Sequence, residues 1–131
     1  MGKKPVSDEH AAETRAAFRA MIGPLRRVAR QHGYALTVHG TLRRDIDLVA
    51  IPWTEDASPA PMLAEAIRSE AQRTSPTGFA GMMAPETTRY FRDGCPKAKP
   101  HGRLCWSFHL GRGPYIDLSV MPREANAFGQ V

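Results

Sequence analysis

Two strand-like stretches, Tyr34-Ala35-Leu36-Thr37-Val38-His39 and Asp45-Ile46-Asp47-Leu48-Val49-Ala50-Ile51, are joined by only five residues, Gly40-Thr41-Leu42-Arg43-Arg44. A parallel pair needs a crossover of about a dozen residues or more, so this connector makes the two strands antiparallel neighbours. Pro52 is expected to end the ladder, because it brings no backbone donor. A second hairpin follows from Arg103–His109 and Tyr115–Met121, both strand-like, with Leu110-Gly111-Arg112-Gly113-Pro114 as the loop. A short strand near Thr77–Met83 completes the β expectation.

Around these strands lie two helical patterns. From Ser7 to His32, Phe18, Met21, Ile22, Leu25, Val28 and Ala29 recur at helical spacing, with Arg15, Arg19, Arg26, Arg27 and Arg30 mostly on the remaining faces. Ser7 is placed to cap this helix, Asp8 and Glu9 suit the positive end of its dipole, and Gly33 is a natural stop. Gly23-Pro24 interrupts the pattern, which predicts a kink or two abutting helices. Met62–Thr74 (Met62, Leu63, Ala66, Ile67, Ala71) forms the second amphipathic helix. The expected class is α+β, a small mixed, largely antiparallel sheet with helices packed on one face. With 131 residues, one domain over 1–131 is the default, with flexible ends at about 1–6 and 123–131.

Asp45-Ile46-Asp47 is the sharpest chemical feature. Within a strand, Asp45 and Asp47 share one face while Ile46, Leu48 and Ala50 take the other. Strands disfavour Asp, and like charges on one face repel, so something should neutralise them. Asp117 sits the same way between Ile116 and Leu118. If its strand lies beside that of Asp47, three carboxylates converge, and such a set holds Mg²⁺ or Mn²⁺ together with phosphate oxygens. The plainer alternative pairs these acids with nearby arginines such as Arg43 and Arg44.

Val38-His39-Gly40-Thr41, then Asp45-Ile46-Asp47-Leu48, then Asp117 on a later strand resembles the nucleotidyltransferase superfamily related to polymerase beta. The resemblance implies that Gly40 and Thr41 contact nucleotide phosphates, that Asp45 and Asp47 bind metal, and that Asp117 helps to activate an attacking hydroxyl. It implies transfer of a nucleoside monophosphate from a nucleoside triphosphate, with release of pyrophosphate. Here only Leu42, Arg43 and Arg44 stand between Thr41 and the first Asp, a shorter stretch than the family usually carries. The segments Arg44–Trp53 and His109–Pro122 also resemble a group of small proteins of phage and prophage genomes, which implies a bacterial host cell.

The formal charge is +5, and the segment Arg89–Arg112 carries all of it: six bases (Arg89, Arg92, Lys97, Lys99, Arg103, Arg112) against Asp93. A basic segment beside a balanced body suggests a phosphate-bearing partner. Lys97, Lys99 and Arg103 are therefore candidate phosphate ligands with Arg43 and Arg44, and His39 is a site-lining candidate. Tyr90-Phe91 or Trp106 would offer a stacking surface, although Trp106 shares a face with Leu104 and Phe108 and is expected in the core. Trp53 is expected to cap the sheet or the pocket mouth. Cys95, His101, Cys105 and His109 are all zinc-ligating types, but their spacing matches no common zinc module; a buried Cys105 with exposed histidines is preferred.

Other classes are disfavoured. No apolar run approaches the roughly 18 residues of a membrane span, no apolar segment follows the basic start as in a secretory signal, and two cysteines are too few for a disulfide framework. No membrane partner is expected, and the cytosol is the expected location. Two functions follow. The first is a metal-dependent nucleotidyltransferase acting on a nucleoside triphosphate, with a nucleic acid or a protein as acceptor. The second is a non-catalytic phage-encoded binding module using Arg89–Arg112 on nucleic acid or a host protein.

Overall fold

The computed structural model describes residues 5–83 and 97–123. Its first element, α1 (Asp8–Gln31), starts at Ser7, whose side chain accepts from the His10 amide at 3.0 Å. One helix runs through Gly23-Pro24, so of the two expected outcomes, a kink or two abutting helices, the division into two helices does not occur. Proline removes one backbone donor there, but Met21, Leu25 and Ala29 are buried on either side of it and hold both halves against one core. Gly33 then takes φ +88 and turns the chain into β1 (Tyr34–His39). A Cβ at Gly33 would meet the Ala57 Cα at 2.8 Å, so the turn and its close packing both require glycine.

β1 pairs antiparallel with β2 (Ile46–Pro52), as the short connector dictates. Pro52 makes the last pair of the ladder, opposite Tyr34, and β2 ends there; Asp45 falls just before the strand. The chain continues through α2 (Ala60–Thr74), β3 (Gly81–Met83), β4 (Lys97–Ala98), β5 (Leu104–His109) and β6 (Tyr115–Val120). The sheet runs in the order β1-β2-β6-β5-β3, with β4 also on β5. Four pairings are antiparallel, and β2 with β6 is parallel. The chain is thus α+β, with a mixed sheet.

Strand alternation divides the sheet into two chemically different faces. Ile46, Leu48, Ala50, Trp106, Phe108, Ile116, Leu118 and Val120 are buried in one cluster with Met21, Leu25, Leu63 and Ile67 of the helices. Trp106 is a core residue, as its neighbours predict. The opposite face carries half-buried Asp47, Val49, Cys105, Ser107, Asp117 and Ser119. Among the described residues, no helix is long and apolar enough to cross a membrane.

Candidate functional site

Parallel pairing sets Asp47 directly opposite Asp117, with Ile46 opposite Ile116 and Leu48 opposite Leu118. Directly paired residues project to the same side, so the two carboxyls meet on the open face. On the outer sides of this pair, His39 of β1 faces Asp47 and Ser107 of β5 faces Asp117. The Ser107 hydroxyl donates to Asp117 Oδ1 at 2.7 Å, which fixes that carboxylate. The Asp47 carboxyl is pushed above its ordinary value. Burial is the main cause, followed by the Asp117 charge and a hydrogen bond to Asp117, then Asp45; His39 opposes them.

These acids belong to a cavity of about 440 Å³. Its lining brings together His39, Asp47 and Asp117 with Lys97, Lys99 and Arg103. The basic side is built by β4, where Lys97 pairs with Cys105, and by the turn Pro100–Gly102, where His101 and Gly102 both take positive φ. Arg103 follows that turn and reaches Ser119 Oγ at 3.4 Å. Carboxyls in the middle of the sheet and cations at its β5 side therefore share one concavity.

The remaining candidates are placed differently. Asp45 accepts from the Tyr115 amide at 3.0 Å through Oδ1, which ties it to the start of β6. Arg43 turns toward α1, donating to the Val6 carbonyl at 3.3 Å and lying 3.4 Å from Asp8. The Arg44 carbonyl accepts from His10 Nε2 at 2.9 Å, and the Thr14 hydroxyl donates to the Arg43 carbonyl at 3.2 Å. Thr41 is exposed, and its carbonyl accepts from Arg15. The connector is thus laced to α1, and between its fastened residues Leu42 takes φ 59, a conformation that side-chain-bearing residues rarely adopt. Gly40, at φ +83, lies against the site: a Cβ there would stand 3.2 Å from Asp47 Oδ2.

Ser107, Ser119 and Cys105 line the cavity although no motif marks them. Their signal is the strand alternation that puts Cys105 and Ser107 of β5 opposite Ser119 and Asp117 of β6, legible only once the β5–β6 register is known. Burial pushes the Cys105 thiol up, which keeps it protonated at neutral pH. His109 packs its ring between Phe79 and Tyr115, with centroids 5.1 and 6.1 Å away, and accepts from the Gly111 amide. Cys95 lies outside the described residues, as do Arg89, Arg92, Tyr90 and Phe91. Trp53 does not approach the cavity; it stands exposed at the far end of β2.

Asp47 and Asp117 suit one hard divalent cation. They are adjacent, oxygen-bearing and mutually repulsive, and Mg²⁺ needs only one or two carboxylates when phosphates complete its shell. A three-acid arrangement does not form: among the described residues, no group of three or more His, Cys, Asp or Glu side chains is set to hold a metal ion. No family model matches the chain, and no curated protein matches it significantly.

Proposed function

We propose that the chain is a nucleotidyltransferase-like protein that binds a nucleoside triphosphate with Mg²⁺ or Mn²⁺ and transfers the nucleoside monophosphate to an acceptor hydroxyl. The observation that carries this reading is the Asp47–Asp117 pair facing Lys97, Lys99 and Arg103 across one cavity. Two adjacent carboxyls without a cation are electrostatically costly, and three cations beside them are complementary to a polyphosphate. Asp47 and Asp117 would hold the ion. When bound, it neutralises phosphate charge and favours the ionised acceptor oxygen. Lys97, Lys99 and Arg103 bind and orient the phosphates, Ser107 keeps the Asp117 oxygens aimed into the cavity, and Gly40 leaves room for backbone approach beside Asp47. Asp45 supports the site by fastening β6 to the start of β2.

A metal and nucleotide titration tests this reading. Ligand at 100 times its Kd adds about 2.7 kcal/mol. For a chain of this size that corresponds to a rise in melting temperature on the order of 10 °C. The rise should need both metal and triphosphate, vanish in Asp47→Asn, and be accompanied by pyrophosphate release. Absence of any metal-dependent rise in the wild type sinks the reading.

The commitment of Asp45 to the Tyr115 amide favours a second reading, a non-catalytic module that keeps the cavity for phosphate groups of a nucleic acid. Its binding would be lost in Lys97→Ala/Lys99→Ala and indifferent to Mg²⁺.

A further inference from the structure

From Thr14 to Gln31, α1 contains five arginines and no acid. Four of them, Arg15, Arg19, Arg26 and Arg30, are spaced by four, seven and four residues. At about 100° per residue these positions fall within roughly 60° of one another, so they form one stripe. All four are exposed, and among the described residues none is ion-paired with an acid. The fifth, Arg27, sits apart from the stripe; with the hydrogen bond from Arg73 as the main cause, its charge adds to the lowering of the Glu70 pKa on α2.

The stripe runs along the edge strand β1. Arg15 Nη2 donates to the Thr41 carbonyl at 3.3 Å, and Arg26 Nε donates to the Leu36 carbonyl at 3.2 Å. These contacts hold two guanidinium groups in place and leave other N–H donors of each for a ligand. At the far end, Arg26 and Arg30 form a shallow cavity of about 250 Å³ with Ala35, Leu36 and Trp53. Trp53 is 67% exposed, the most exposed large apolar side chain among the described residues. An open indole beside a row of exposed guanidiniums combines a stacking platform with a phosphate track.

We infer that this face of α1 and β1 binds single-stranded nucleic acid, with Arg15, Arg19, Arg26 and Arg30 on four phosphates along the row and Trp53 stacked on a base. The row spans about 22 Å, at 1.5 Å rise per residue. That length covers roughly six phosphates of a stacked strand. A duplex keeps its bases stacked on one another and offers Trp53 no free face. The inference is independent of nucleotidyl transfer, since it uses no residue of the Asp47–Asp117 cavity.

The test is equilibrium binding of oligo(dT) and oligo(U), each about 12 nucleotides long, to the full chain at several salt concentrations. Four phosphate contacts predict a log–log salt slope of about −2.8 for a single strand. Arg19→Ala/Arg30→Ala should halve that slope and weaken binding about 25-fold at 0.1 M salt, with unchanged circular dichroism. Trp53→Ala should weaken binding about 5-fold or more. The chain has two tryptophans, and Trp106 is 2% exposed, so binding should quench the emission of Trp53 alone. The inference is overturned if the wild type does not bind, or if a duplex or anionic lipid vesicles bind as tightly as the oligonucleotides. It is equally overturned if Lys97→Ala/Lys99→Ala abolishes binding while Arg19→Ala/Arg30→Ala leaves it intact.

Discussion

Replacing Asp47 by asparagine removes one charge from a pair of carboxyls that sit directly opposite each other on neighbouring strands and keeps the shape of the side chain. Like charges in that position destabilise a sheet by about 0.2–1 kcal/mol. Unfolding entropy near 2.1 cal/mol/K per residue gives about 275 cal/mol/K for a chain of this length. Asp47→Asn should therefore raise the melting temperature by about 1–4 °C at pH 7 in the presence of EDTA. The pH dependence follows from the direction of the Asp47 shift. Its folded pKa lies above its unfolded value, so the folded state holds the proton more tightly. Stability is then lost as pH rises from the unfolded carboxyl pKa through the folded one, and is regained as pH falls. The gain from Asp47→Asn should accordingly be largest where wild-type Asp47 is ionised and shrink as falling pH restores its proton, which the raised pKa makes earlier than for an ordinary carboxyl. Differential scanning calorimetry from pH 4 to 8 measures both effects. A variant that is less stable than wild type at pH 7, or a difference that does not change with pH, would show that the pair is not under electrostatic stress.

Ser107→Ala removes the 2.7 Å hydrogen bond to Asp117 and should cost about 1–2 kcal/mol in urea denaturation; no loss would mean that water replaces the hydroxyl fully. Pro24→Ala restores a backbone donor inside α1 and should stabilise the chain by about 1–3 kcal/mol, read as a higher urea midpoint; a lower one would assign Pro24 a packing role. Cys105 should react slowly with iodoacetamide at pH 7 and faster as pH rises above the ordinary thiol range, followed by peptide mass spectrometry; rapid modification of the native chain at pH 7 would refute a burial-raised thiol pKa.

Local patterns carried most of the fold into the sequence. The apolar stripe from Met21 to Ala29 gave the helix, and the five-residue connector forced the β1–β2 hairpin. Nothing local specifies that β2 and β6 are neighbours, because the strands lie far apart in the chain and pair in parallel. The meeting of Asp47 with Asp117 was consequently conditional on a pairing that only the tertiary structure supplies. β4 was illegible for a different reason: Lys97-Ala98 is two exposed residues with no periodicity, recruited as a strand by β5. Arg43 turns to Asp8 and the Val6 carbonyl instead of the cavity. The arginines of α1 are legible as its polar face, but net charge along the chain hides their stripe, because acids elsewhere cancel them and a helix concentrates charge by face.

The parallel contact between Asp47 and Asp117 also has a kinetic meaning. It joins strands separated in the chain by α2, β3, β4 and β5, whereas the β1–β2 and β5–β6 hairpins close over short loops. Loop closure over a long separation is entropically slow, so the central pairing should be a late event in folding. The two acids thus remain apart, each solvated on its own hairpin, until the rest of the sheet has the apolar contacts to press them together. Like-charge repulsion at the site then opposes only the last step of folding, and a cation added during refolding should accelerate that step alone.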